Sequence, residues 1–341
     1  MKFGPVPVAQ AEGAILAHSV ALGAGRLRKG RVLTAGDIIT LRDAGQESVT
    51  VARLDPGDTH EDAAASALAQ AFVPDPDSAG LVLRAVGTGR VNIIATGPGL
   101  VRLDAGQIHA VNRLHPAITV ATLPDLMRVD PGAMVATVKI ITYGVPAQAL
   151  DAACAAGTKA LRIQPPVITQ ATLIQTRVDP NESGAKGHAV TAARLERLGV
   201  ALDPLCIVPH QIDPLAQALG APGGEIVLIL TGSATSDPMD TAPQALRAAG
   251  GEVTHFGMPV DPGNLLFTGQ LGGRLVIGLP GCAKSPALNG ADWVLERLIC
   301  GLEVRPEDIM AMGVGGLLKE IPSRPRPRRQ GETLPAEEGA D

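Results

Sequence analysis

The sequence predicts an α/β protein: a three-layer α/β/α domain on a mostly parallel sheet, preceded by a smaller mixed α+β N-terminal domain. Three observations carry that prediction. From Val167 onward, apolar strand-like runs alternate with helix-like stretches, the order that gives a parallel sheet with helices on both faces. Two of those runs, Glu225–Leu230 and Leu275–Leu279, are nearly continuous apolar segments, as strands buried on both faces require. Of 341 residues, 45% are hydrophobic and 18% charged, which supplies a core and excludes global disorder.

The first 55 or so residues alternate short apolar runs with glycine turns, and Gly25 and Gly30 bracket a basic turn. Thr34 is placed to cap a helix from Ala35 to Ala44, which Gly45 closes. Ser48–Leu54 reads as a strand, Glu61–Phe72 as an Ala-rich helix, and Pro74, Pro76 and Gly80 as a loop. Strands follow over Val91–Ala95, Ile118–Ala121 and Met134–Ile141, with a helix between Leu103 and His115 and another over Ala147–Ala156. Pro165-Pro166 breaks the chain, so domains are expected over 1–165 and 166–305, with a C-terminal extension and disordered tail over 306–341. Within the second domain the expected order is strand Val167–Thr176, helix His188–Leu198, strand Leu205–Val208, helix Pro214–Leu219, strand Glu225–Leu230, helix Ala242–Ala249, strand Leu275–Leu279 and helix Pro286–Leu302. The tail from Pro322, with four arginines among prolines, reads as a linker or disordered terminus, with a basic interaction tail as the alternative.

Several function classes drop out. Aromatic residues are 2% of the chain and the formal net charge is −5, so base-stacking platforms and a general basic footprint for nucleic acid are both lacking. No run reaches the ~18 apolar residues of a membrane span, and Met1–Gln10 does not read as a secretory signal. A cytoplasmic location is the simplest expectation. Cys154, Cys206, Cys282 and Cys300 are widely spaced without a C-x-x-C pair, which reads as incidental thiols. The seven histidines are dispersed, and G-x-S-x-G, Walker A and G-x-G-x-x-G patterns are absent.

Ligands of open parallel sheets collect beyond the carboxyl ends of the strands, and three predicted strands end there in polar loops. The first runs from Arg177 to Gly187 and carries Asp179, Glu182 and Lys186. The second, Thr231–Thr241, is rich in hydroxyls and enters a helix, whose first N–H groups suit a phosphate. Asp237 and Asp240 would repel phosphate, and fit better as partners of a pterin amide edge or of a Mg²⁺ bridging phosphate oxygens. Alternatively, Asp240 or Thr241 simply caps the helix. The third loop, Leu279–Ser285, offers Gly281 for close backbone approach and Lys284 as a cation; a plain surface lysine is the alternative.

These residues resemble the molybdopterin-binding domain of molybdenum cofactor biosynthesis proteins, most closely the molybdopterin molybdenumtransferase branch. Thr231-Gly232-Ser233 through Asp240-Thr241-Ala242-Pro243 is similar to that domain's Thr-Gly-Gly-Thr-Gly…Arg-Asp-Val-Thr-Pro loop, and Leu279-Pro280-Gly281 with Lys284-Ser285 to its second signature loop. Gly257–Leu265, with its Met258 and Pro262-Gly263, matches the run between them, and the similarity spans about residues 167–303. The resemblance implies a molybdopterin ligand, Mg²⁺, and molybdate as a substrate. Thr231, Gly232, Ser233, Thr235, Asp237, Pro280, Gly281, Lys284 and Ser285 would bind the cofactor, and Asp240 would serve catalysis and Mg²⁺.

Departures stand at Met239 for the family's Arg, at Asn264 for its Lys, and at Cys282-Ala283 for its Asn-Pro. The first loop has no Asp where the family often carries one, although Asp179 and Glu182 lie nearby, and no room remains after Leu302 for the branch's C-terminal β-barrel. The implied function is molybdenum insertion into (adenylylated) molybdopterin by a transferase. Nucleotidyl transfer to molybdopterin and a non-catalytic carrier module are the alternatives. Besides the pterin, other cofactor-biosynthesis proteins, a molybdoenzyme or a second copy of the chain are the expected partners, with neither nucleic acid nor membrane among them.

Overall fold

The computed structural model describes residues 1–23, 25–261 and 263–318. The chain forms two compact units, Met1–Pro165 and the residues from Pro166 onward. The predicted tail from Pro322 and the Pro262 of the matching run lie outside the described residues.

The first unit is mixed α and β. Its largest sheet is antiparallel, in the order Ile118–Thr122, Met134–Ile140, Arg90–Ala95, Leu81–Gly87. Helix Glu61–Phe72 contributes Ala64, Ala65, Leu68, Ala69 and Phe72 to the core over that sheet. Gly157 is required there, because a Cβ would stand 2.0 Å from the Phe72 ring. A separate core gathers Leu16, Leu33, Leu41 and Val51 around helix Ala35–Asp43 and strand Ser48–Arg53. Thr34 caps that helix in a reciprocal box with Asp37. This unit therefore carries two clusters of its own.

In the second unit we number strands β1 (Gln170–Arg177), β2 (Ala201–Leu202), β3 (Cys206–Pro209), β4 (Ile226–Leu230), β5 (Glu252–Met258), β6 (Asn264–Leu271) and β7 (Arg274–Leu279). The helices are α1 (Ala185–Glu196), α2 (Ile212–Gly220), α3 (Thr241–Ala248), α4 (Gly290–Ile299) and α5 (Pro306–Met310). They form one seven-stranded sheet in the order β2–β1–β4–β7–β6–β5, with β3 beside β2 on the same edge of β1. β1 runs parallel to β2, β3 and β4, and β4 parallel to β7; β6 and β5 are antiparallel.

All five residues of β4 are buried, so both of its faces are covered. Val227 and Ile229 pack with Leu215 and Leu219 of α2 and with Ala242, Ala245 and Leu246 of α3. On the alternate face, Gly187 of α1 comes so close that a Cβ would lie 2.7 Å from Leu230 Cδ2.

Three predicted boundaries move for visible reasons. β1 starts at Gln170 because Val167 and Ile168 donate their N–H groups to Ile299 O instead of entering the sheet. Helix α1 begins at Ala185 because Gly184, at φ +66°, makes the left-handed turn into it. Helix α4 begins at Gly290, not at Pro286, because its N-cap Asn289 forms a capping box with Asp292. The antiparallel pair β5–β6 is not predicted; Gly257 and Gly269 interrupt its alternation.

Candidate functional site

Register fixes where the three polar loops emerge. Leu230 pairs with Gln175 on one side and with Leu279 on the other, and Pro209 pairs with Arg177. The carboxyl ends of β3, β1, β4 and β7 therefore form one continuous edge, three strand spacings or roughly 14 Å wide. The loops over residues 178–184, 231–240 and 280–289 all leave from it, together with His210 after β3.

Within the 231–240 loop, most of the expected ligand donors are engaged by the fold. Gly232 N–H donates to Thr176 Oγ1 at 2.9 Å. A Cβ on Gly232 would meet Thr176 O at 2.8 Å and Val178 N at 3.0 Å, so this glycine lets two loops touch backbone to backbone. Thr231 and Thr235 are buried with their hydroxyls 3.4 Å apart, while Ser233 is exposed. Asp237 Oδ1 accepts from Met239 N–H at 2.7 Å. Arg247 of α3 donates to Pro238 O at 2.7 Å and stands 4.0 Å from Met239 Sδ, so a cation braces the loop although Met239 itself supplies none.

Asp240 is the N-cap of α3. Its Oδ1 accepts from Thr241 N–H at 2.6 Å and its Oδ2 from Ser236 N–H at 3.0 Å. Burial pushes its pKa up, but those N–H donors and the nearby His210 charge outweigh burial and hold it below the usual carboxylate range. Among the described residues no three His, Cys, Asp or Glu side chains stand together in a way that could hold a metal ion. The residues present do not fit a dedicated Mg²⁺ site, and no step below is routed through one.

The third loop is held from beneath. Residues Gly281–Lys284 form a short 3₁₀ turn after the buried Pro280. Arg194 of α1 binds Asp292 Oδ1 through Nε at 2.7 Å, Ala283 O through Nη1 at 2.8 Å, and Ser285 O through Nη2 at 2.5 Å. Asn264 donates to Asn289 Oδ1 at 3.2 Å, so the amide in place of the family's lysine buttresses this loop. Asn289 Nδ2 in turn contacts Cys282 Sγ.

Above that support lies a cavity of ≈ 390 Å³ lined by Lys186, Gly281, Cys282, Lys284, Ser285 and Pro286. Lys284 pairs with Glu182 at 3.4 Å, both side chains more than a third exposed, a contact worth under about 1 kcal/mol. Lys186 is exposed with no ion-pair partner among the described residues. Gly281 is exposed, and a Cβ there would meet nothing within 4 Å, so the backbone at this point lies open to an incoming group. Two cations, an open backbone and the Ser285 hydroxyl suit an oxyanion. No residue of 231–241 lines this cavity, although that loop leaves the neighbouring strand.

Sequence reasoning missed Arg194, Arg247, Thr176 and His210 as parts of this edge. His210 had a signal: it stands two residues beyond the predicted strand end at Val208. The two arginines had none, because nothing in a sequence says which loop a helix face will meet.

The family model of a domain of unknown function (DUF8806) matches residues 5–53. No curated protein matches the chain. Among solved structures, the chain is similar to a molybdopterin biosynthesis MoeA protein from Pyrococcus horikosii, with 14% identity and a TM-score of 0.30, over 88% of this chain and 75% of that one. It is also similar to a molybdenum cofactor biosynthesis protein from Pyrococcus furiosus, with 13% identity and a TM-score of 0.25, over 89% of this chain. It spans 66% of that second protein's length.

Proposed function

We propose that the second unit binds molybdopterin during molybdenum cofactor biosynthesis and holds it while molybdate is delivered. The observation that carries this reading is the cavity lined by Lys186 and by the turn Gly281–Ser285 with its Lys284, on the strand edge that also bears the 231–240 loop. The resemblance of Thr231–Pro243 and Leu279–Ser285 to the two molybdopterin signature loops supports the choice of ligand.

The chain's part is to bind and orient. Lys186, Lys284, Ser285 Oγ and Gly281 N–H take the terminal phosphate, and the exposed Ser233 and Asp237 are available to the pterin's polar edge. The metal goes to the dithiolene sulfurs, soft donors that outcompete the oxygens of this loop. Asp240, with both oxygens engaged by backbone N–H groups, has a structural role here, and this favours a second reading: a carrier that hands the pterin on without turnover.

Equilibrium binding of molybdopterin, followed by incubation with molybdate and reconstitution of an apo-molybdoenzyme, separates the two. Binding with active cofactor formed supports insertion; binding alone supports the carrier; no binding removes both. Lys284→Ala should weaken molybdopterin binding about tenfold, the lower end for a charge-assisted hydrogen bond of ~1.5–3 kcal/mol. The more exposed Lys186→Ala should cost less.

A further inference from the structure

The strand edge carries one group that the proposed binding does not use. His210 follows β3 and is half-buried. Its Nδ1 lies 2.8 Å from Thr176 Oγ1. Thr176 is 3% exposed, and its oxygen already accepts the Gly232 N–H at 2.9 Å. The hydroxyl hydrogen has no other acceptor among the described residues, so it donates to Nδ1. A neutral imidazole that accepts at Nδ1 carries its proton on Nε2. The Nε2 edge has no hydrogen-bond partner among the described residues. The ring is therefore fixed at its inner nitrogen and presents a donor at its outer one.

The geometry points to His210 as a ligand contact: its Nε2–H, oriented by Thr176, donates to an oxygen of the molecule bound at this edge. Sheet order puts it at the β3 end of the edge, whereas Lys284 stands at the β7 end, so the two grip different parts of an elongated ligand. His210 also lies within electrostatic reach of the Asp240 carboxylate. On that side, where Asp240 repels anionic oxygens, a hydrogen-bond donor offsets the repulsion. Thr176 is too buried to act as a nucleophile with His210 as base, and its hydroxyl serves to orient the ring. The inference rests on the reading that molybdopterin binds along this strand edge.

Two measurements test it. In the ¹⁵N-labelled full chain without ligand, imidazole spectra above pH 8 should show His210 protonated at Nε2 and accepting at Nδ1; the opposite tautomer overturns the inference. Molybdopterin affinity is then compared for wild type, His210→Asn and His210→Gln, with unfolding midpoints for each. Asn retains a group near Nδ1 and loses the outer donor, so affinity should fall about tenfold. Gln reaches the Nε2 position and should recover most of it. Wild-type binding with an unaffected Asn variant, or a Gln variant as weak as Asn, overturns the role of His210. Failure of the wild-type chain to bind would instead overturn the ligand assignment itself.

Discussion

Arg194 offers the most direct test of how this site is built. Its guanidinium binds the Asp292 carboxylate and three carbonyls, those of Ala283, Ser285 and Ala287. Both members of the ion pair are mostly buried, with side-chain exposures of 15% and 12%. Arg194→Met keeps the aliphatic stem and removes every one of these bonds. Among the described residues, Asp292 then retains only the Asn289 N–H at 2.8 Å and stands there as a nearly buried charge without a cation. Breaking such a pair costs ~3–5 kcal/mol, and the residual exposure argues for the lower end, about 3. For a unit of this size, at ~2–4 °C per kcal/mol, the melting temperature should fall by roughly 6–12 °C.

The second consequence is local. Without Arg194 the 283–287 carbonyls lose their common anchor, and Lys284 and Ser285 no longer converge. Phosphate binding should drop in Arg194→Met even at temperatures where the protein remains folded. Calorimetric melting gives the first effect, and isothermal titration with inorganic phosphate gives the second. A double-mutant cycle with Asp292→Asn isolates the pair from the carbonyl bonds. A melting temperature within a degree of wild type, together with unchanged phosphate binding, would refute the claim that Arg194 holds this loop.

Four further outcomes follow from particular contacts. Gly232→Ala forces a Cβ against Thr176 O and Val178 N, and overpacking against backbone should destabilise the second unit by ~1–3 kcal/mol in urea unfolding; no change would mean that the two loops can part freely. Asp240→Ala removes a helix cap and should cost ~0.5–2 kcal/mol. Because N–H donors hold the Asp240 pKa down, its stabilisation is complete above the ordinary carboxylate value and lost as pH falls through the lower folded one. Asp240→Asn should therefore lose less stability than wild type over that acid interval, and parallel profiles would count against the assignment. In the first unit, burial raises the Glu61 pKa despite Lys139 at 3.8 Å. Its folded carboxylate is thus disfavoured above that raised value, and the penalty vanishes below the unfolded one. Glu61→Gln should raise the melting temperature at pH 7 and not at pH 4; a uniform loss at both would show that the Lys139 contact outweighs burial.

The core of the second unit was legible because its chemistry is local. Ile226–Leu230 can be satisfied only by burial on both faces, and in the first unit Thr34 caps its helix within three residues of itself, whereas the equally local Asn289–Asp292 cap was passed over. The loops at 231–241 and 279–285 were likewise readable, since glycines and hydroxyls after apolar runs mark strand ends wherever they occur.

The contacts that shape those loops were not. Thr176 and His210 are 34 residues apart, and Arg194 is 89 or more from the carbonyls it binds. Gly232 and Thr235 read as ligand donors on sequence, yet the fold turns the Gly232 N–H to Thr176 and buries Thr235 beside Thr231. Sequence alone determined the parallel strands β1, β3, β4 and β7, where polar loops begin and that a cation sits in the third loop, because propensity and burial act over a few neighbours. Tertiary structure alone decided which donors remain free for a ligand. A hydrogen-bonding group satisfies whatever partner the sheet register brings within 3 Å, and that register is set by side chains far away along the chain.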